Sequence, residues 1–381
     1  MPNVPRSVVA LLLGAIVALP SAAFAATTIG KSDITVSGYF DGYFQYQFSH
    51  PSPAVPIGGR VYVWREAQPT LGLAWLDIAK PAKPKSLGFK VSLAAGDYAD
   101  GDVPAAGSGT GEAQFKSIAQ AYGTYMGPNG FTADLGKFLS PYGFDTTVAQ
   151  LNWNYTLTDA TFLVPNYLAG VRATYPFKGC SVSGYVVSDL EETATSGVQE
   201  DNGTKDFILR LNYTTPDGKF NYIPAVGFGK DKLPGPLGKG NEDIVLWDNW
   251  LTYKAAPKTT LAGEYVYRKD KDKGGLYNLR GDGYGVYVHQ ELTPTKSVTV
   301  RYSALAKHMD TLAPAPVGSS SFRADEVTVT YEQKFAPNFS ARLEYRHDHS
   351  NNPALFGFPD ENKPIPVGHQ DAVIVAGLFS L

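Results

Sequence analysis

The densest run of residues able to do chemistry is Glu344, Arg346, His347, Asp348 and His349. A His–Asp pair can activate water as a general base, and two imidazoles can share a metal ion. The neighbouring sequence completes neither arrangement. No nucleophile motif accompanies the pair, and His347 and His349, at i and i+2 of a strand, share one face with no third ligand nearby in sequence. Solvation of a strand end is the preferred account, and a hydrolase built on Asp348 and His349 is the least favoured function. His289, between Val288 and Gln290, is read as a strand residue lining an interior. Gly107 to Gly111 lacks the Lys-Ser/Thr ending of a phosphate loop, and Arg280-Gly281-Asp282 is read as turn chemistry. The alternating charges from Arg268 to Lys273 are read as a solvated loop, with contact to lipopolysaccharide phosphate as the secondary reading. No catalytic residue, metal or cofactor is expected.

What positions Glu344 is a strand. Phe339, Ala341, Leu343 and Tyr345 alternate with Ser340, Arg342, Glu344, Arg346 and Asp348, the period of two that sends successive side chains to opposite faces. From Ile34 to Phe48 the same alternation runs for fifteen residues. Strands of soluble proteins average about 5 or 6 residues, whereas a tilted membrane-crossing strand needs about 9 to 11. Sixteen candidate strands begin near residues 34, 64, 86, 115, 130, 167, 179, 205, 218, 243, 258, 282, 296, 323, 338 and 369. Tight-turn sequences such as Gly127-Pro128-Asn129-Gly130 and Pro216-Asp217-Gly218 alternate with long polar segments near 49–63, 97–114, 139–166, 190–204, 231–242, 269–281, 307–322 and 350–368. The fold expected is an all-β, antiparallel transmembrane β-barrel of about 16 strands, with short periplasmic turns and long extracellular loops. A soluble propeller also has many strands but does not require this alternation of connections.

Export fits the same picture. Met1 to Arg6, the apolar run Val8 to Leu19 and Ala23-Phe24-Ala25 have the order of a cleaved secretory signal, with cleavage after Ala25. The chain is thus divided into a signal peptide, 1–25, and one barrel, 26–381. Loss of Arg6 leaves 32 basic and 36 acidic side chains, a balance that argues against nucleic-acid binding. The single cysteine, Cys180, excludes an internal disulfide. Beyond the leader no eighteen consecutive apolar residues occur, so helical membrane spans are not expected.

An arginine facing lipid near the bilayer midplane costs about 2–4 kcal/mol, so the charged member of each alternation is assigned to the lumen. That reasoning selects Asp41, Asp134, Arg172, Arg210, Glu264, Arg301, Arg342, Glu344 and Arg346 as pore-lining. An ion-pair ladder and a selectivity filter are both open readings of that set. A lumen of about sixteen strands is too wide for side chains to fill. The third long loop, Leu139 to Asn166, carries Trp153, Tyr155 and Phe162 and is too apolar for free solution. It either folds into the lumen as a constriction or packs on the rim.

Val36 to Pro51, Leu135 to Gly143, Asn152 to Tyr155 and Val327 to Ser350 together resemble the OmpL-like β-barrel porin family across the mature chain. Asp201-Asn202 followed by Lys205 is similar to that family's mid-barrel polar stretch. The chain departs from the family pattern at Ser188-Asp189-Leu190, where the family tends to Asn-Gly-Trp. It also ends on Leu381, where most such barrels end on an aromatic residue. The resemblance implies an outer-membrane porin with no catalytic residues. The function expected is passive diffusion of small hydrophilic solutes or ions, with membrane lipid and lipopolysaccharide as surroundings and a homotrimer as one possible assembly. The alternative is a plugged surface protein, an adhesin or scaffold acting through its loops.

Overall fold

Alternating side-chain character becomes strand wherever tight-turn chemistry brackets it. A computed structural model describes residues 26–48, 60, 62–98, 117–190, 203–232, 241–272, 277–311, 318–352 and 368–381. The leader 1–25 with its expected cleavage at Ala25, and the stretch 107–111, lie outside the described residues. The strands are β1 (Thr27–Thr28), β2 (Thr35–Gln47), β3 (Thr70–Lys80), β4 (Ser86–Ala95), β5 (Ile118–Met126), β6 (Thr132–Leu139), β7 (Tyr167–Phe177), β8 (Cys180–Val187) and β9 (Asp206–Thr214). They continue with β10 (Phe220–Lys232), β11 (Asn241–Ala256), β12 (Thr259–Asp272), β13 (Tyr277–Thr293), β14 (Lys296–Thr311), β15 (Gly318–Ala336), β16 (Phe339–Ser350) and β17 (His369–Ser380).

The two-residue β1 pairs antiparallel with the start of β2. The remaining sixteen strands each pair antiparallel with the next, and β17 returns to β2 from Ala372↔Gln47 to Ser380↔Tyr39, closing the barrel. Closure leaves no open edge among these strands, so their backbone groups pair strand to strand. At the short-turn end Gly218 takes φ 66°, a left-handed conformation that a side chain disfavours, while the Asp217 carboxylate accepts the Thr215 hydroxyl and the Lys219 N–H. Near the same end Phe40, Phe379, Phe339 and Phe335 stack in a row with centroid separations of 4.6, 4.4 and 5.6 Å. Among the described residues no helix is long and apolar enough to cross a membrane.

Four sequence expectations need correction. The strand expected near 64 begins at Thr70, because Tyr62, Val63 and Ala67 adopt φ of 62, 57 and 53°, which breaks extended pairing. The charged run from Arg268, read as a loop, is the end of β12 and pairs with β13 as far as Lys271↔Asn278, so Arg280-Gly281-Asp282 is also strand rather than turn. Likewise β14 and β15 pair through most of 307–322. Charge alternation hid these extensions, since Arg268, Asp270 and Asp272 are buried on the inner face while Lys269 and Lys271 are exposed on the outer.

The outer face is apolar, with Leu135, Leu209, Phe228, Val286, Leu343 and Val375 each about half exposed or more. Leu343→Arg is expected to destabilise the folded barrel in lipid by about 2–4 kcal/mol. Urea titration in vesicles measures this; an unchanged midpoint would mean that Leu343 does not meet hydrocarbon.

Candidate functional site

The segment 140–166, between β6 and β7, lies inside the barrel. It contains two short 3-10 turns, Ala149–Leu151 and Asp159–Leu163. Phe144, Ala149, Asn154, Tyr155, Thr156 and Leu163 are all nearly inaccessible to solvent. A chain crossing a lumen carries backbone groups that no sheet satisfies, so the wall must supply partners. The acidic side chains receive its N–H groups. Asp248 accepts from Gly143 at 2.6 Å and Glu264 from Phe144 at 2.7 Å. Glu344 accepts from Tyr155 at 2.6 Å and from Thr156 at 3.0 Å, and also takes the Thr156 hydroxyl at 2.6 Å.

The arginines bind the carbonyls. Arg342 donates to Ala149 at 2.7 Å, Asn152 at 2.7 Å and Asn154 at 3.0 Å. Arg301 reaches the carbonyls of Thr156 at 2.5 Å and Leu157 at 3.2 Å, and Arg346 that of Leu157 at 2.6 Å. Arg268 donates to Leu190 at 2.8 Å and more weakly to Leu163 at 3.5 Å. Each guanidinium also keeps a carboxylate: Glu332 for Arg342, Glu326 and Asp145 for Arg301, Asp348 and Asp159 for Arg346, Asp270 for Arg268. A planar fork with five donors can serve carbonyl and carboxylate together, which an ammonium does less well.

Glycine on β13 makes the room. A Cβ at Gly281 would lie 2.3 Å from Leu163 Cδ2, and one at Gly283 would lie 3.0 Å from the Ala160 backbone, so the second 3-10 turn seats where the wall has no side chains. Aromatic packing holds the other flank. Phe144, Trp153, Trp250 and Tyr287 form an edge-to-face group, and Trp153 stacks on His289 at 4.9 Å.

All nine side chains expected on the inner face point inward, and six of them bond to 140–166. Asp41 accepts the Tyr155 hydroxyl at 2.5 Å, and Glu264, Arg301, Arg342, Glu344 and Arg346 make the bonds above. Asp134 on β6 and Arg172 on β7 pair with each other at 2.7 Å, with the guanidinium over the Phe138 ring. Arg210 is half-buried on β9 and its Nε has no hydrogen-bond acceptor. Of the three loop aromatics expected at a constriction, Tyr155 is fully buried while Trp153 and Phe162 are half-buried.

Sequence reasoning missed Asp248, Arg268, Glu326 and Arg60, the last of which pairs with Asp348 at 2.6 Å. Glu326 was within reach of the same alternation, since it shares a face with Thr328 and Thr330. Arg60 carries no such signal, being outside any strand. The run around Asp348 is divided by the pleat. Asp348 is buried inward on Arg346 and Arg60, whereas His347 and His349 face outward to Asp371 at 2.8 Å and Asp325 at 3.2 Å. Asp348 and His349 therefore do not act on one substrate. Among the described residues no group of three or more His, Cys, Asp or Glu side chains is arranged to hold a metal ion.

A closed antiparallel barrel with an apolar exterior, a polar interior and a connection folded inside it is the architecture of a porin-type outer-membrane barrel. The chain belongs to the family described as "Putative beta-barrel porin-2, OmpL-like", whose sequence model matches residues 33–381. No curated protein is detectably similar in sequence. Solved structures share the fold at low identity. Outer-membrane expressed OmpT of Vibrio cholerae is 13% identical with a TM-score of 0.61, covering 93% of this chain and 100% of that one. The outer membrane channel DcaP of Acinetobacter baumannii is 12% identical with a TM-score of 0.59, covering 91% and 97%. An anion-selective porin from Comamonas acidovorans is 14% identical with a TM-score of 0.57, covering 91% and 99%.

Proposed function

We propose that this protein is an outer-membrane porin through which small hydrophilic solutes or ions diffuse passively between segment 140–166 and the inner face of β4–β9. The observation that carries the reading is partial solvent exposure of inward charged groups on that wall: the side chain of Lys90 is 30% exposed and that of Arg172 24%. Both are ion-paired, to Asp77 and Asp134, which sets two opposite charges side by side along the path. The short turns then face the periplasm and the long connections the exterior. A homotrimer is part of the same proposal and is checked by the mass of the complex extracted in mild detergent.

Single-channel conductance of the refolded mature chain in a planar bilayer is the test. Stable ohmic steps support the porin. Silence from a barrel shown to be folded would favour a plugged surface protein acting through its loops, a reading supported by how completely 140–166 is buried and bonded. If steps appear, Lys90→Gln with Arg172→Gln is expected to move the reversal potential in a salt gradient towards cation preference. An unmoved potential would place the ion path elsewhere.

A further inference from the structure

We propose that the outer face of β12–β14, at the end carrying the long connections, binds the phosphate groups of an outer-leaflet glycolipid through Lys269, Arg280 and His308. The inference rests on the outer-membrane reading but not on conduction.

Register brings these residues together from three strands. Lys269 lies directly opposite Arg280, and Arg280 directly opposite His308. All three are exposed on the outer face, with the Arg280 side chain 64% accessible. Like charges at directly opposite positions of a sheet repel, so Lys269 and Arg280 are a cost unless an anion sits between them. The wall compensates only in part. Asp282 reaches Arg280 at 3.3 Å but is shared with the Tyr265 hydroxyl at 2.8 Å. Lys271 continues the basic face by two residues, opposite Asp243. Arg323, opposite Ala306, lies diagonal to His308, and Asp325 beside it is engaged by His349. The patch is therefore mixed in sign but basic at its centre.

Height along the barrel gives an independent argument. Counting from the turn before Thr259, Lys269 is ten residues up β12. At about 3.3 Å per residue and a tilt of about 40°, that is roughly 25 Å, the height of the apolar band of such barrels. Just below it the outer face carries Tyr265, Tyr284 and Tyr302, the residue type that sits at membrane–water boundaries, with Val286 opposite Tyr302 and Leu261, Val288 and Val300 below. The basic row thus stands where lipid headgroups stand. Phosphate suits it, because a guanidinium can grip two of its oxygens while the neighbouring ammonium neutralises the third.

The test uses the full mature barrel refolded in non-ionic detergent, with bound lipid read by native mass spectrometry. The probes are a bisphosphorylated lipid A-type glycolipid, the same glycolipid dephosphorylated, and inorganic phosphate as competitor. The phosphorylated form is expected to be retained about tenfold or more over the dephosphorylated one, and Lys269→Gln with Arg280→Gln to abolish that preference. Lys254→Gln with Lys296→Gln, exposed lysines near the short-turn end, should leave it intact. Equal retention of both glycolipids, or a preference that survives the double substitution, overturns the proposal. Complete displacement by millimolar inorganic phosphate would make the row a site for the free anion and overturn it too. Conductance of the same variants separates this result from the porin reading, which stands or falls without it.

Discussion

Arg301→Ala is expected to cost about 3–5 kcal/mol of barrel stability. The side chain is wholly buried and pairs with Glu326 at 2.6 Å and Asp145 at 3.3 Å while donating to two carbonyls of segment 140–166. Its loss leaves buried Asp145 without its cation and Glu326 with only Arg346 at 4.0 Å, and it orphans the Thr156 carbonyl, while the Leu157 carbonyl keeps its bond from Arg346 at 2.6 Å. An orphaned buried acceptor costs about 1–3 kcal/mol, and an uncompensated buried charge costs more. Equilibrium unfolding in urea, followed by the loss of the heat-modifiable band, measures the difference. A change below about 1 kcal/mol would mean that water already reaches this guanidinium, as in an exposed pair.

The second large effect is on conductance. Deleting Leu151 to Phe162 is expected to raise single-channel conductance several-fold. The deletion empties the part of the lumen filled by Trp153, Tyr155 and the turn Asp159–Leu163, and every strand pairing remains. A milder variant, Glu344→Ala, removes the acceptor of the Tyr155 and Thr156 N–H groups and of the Thr156 hydroxyl. It should give the same increase intermittently, as noisy transitions between two levels. Identical conductance for the deletion and the native chain would mean that the narrowest point lies outside 140–166.

The wall was legible in the sequence because a strand writes its two faces on alternate residues. Phe339 to Asp348 and Ile34 to Phe48 state which side meets which medium, and Gly or Pro marks each short turn. Legibility failed where an inner face became as charged as a loop. Arg268, Asp270 and Asp272 are buried, but in one dimension they are indistinguishable from a solvated run. The loop aromatics Trp153, Tyr155 and Phe162 revealed that 140–166 needed cover without revealing where. Its path is decided by bonds between residues far apart in sequence, such as Gly143 to Asp248, Tyr155 to Glu344 and Gln150 to Ser380, which are 105, 189 and 230 positions apart. No local pattern encodes pairs of that separation. The sequence therefore left open whether the inner arginines form an ion-pair ladder or a filter. In the structure Arg301, Arg342 and Arg346 each pair with a carboxylate and also donate to backbone carbonyls of 140–166, a second role that neither reading contained.

Tyr155 has one more consequence, which concerns how the cylinder is fastened. Its N–H bonds Glu344 on β16 and its hydroxyl bonds Asp41 on β2, while Gln150 donates to Ser380 on β17 at 2.6 Å. Those three strands flank the seam where the two ends of the chain meet, a junction that must find its partner across almost the whole sequence. Segment 140–166 therefore acts there as an internal strap, bracing the closing joint as well as filling part of the lumen. Whatever loosens the strap to clear the lumen also removes bonds that brace the seam, so the width of the lumen and the strength of its closure are coupled in this barrel.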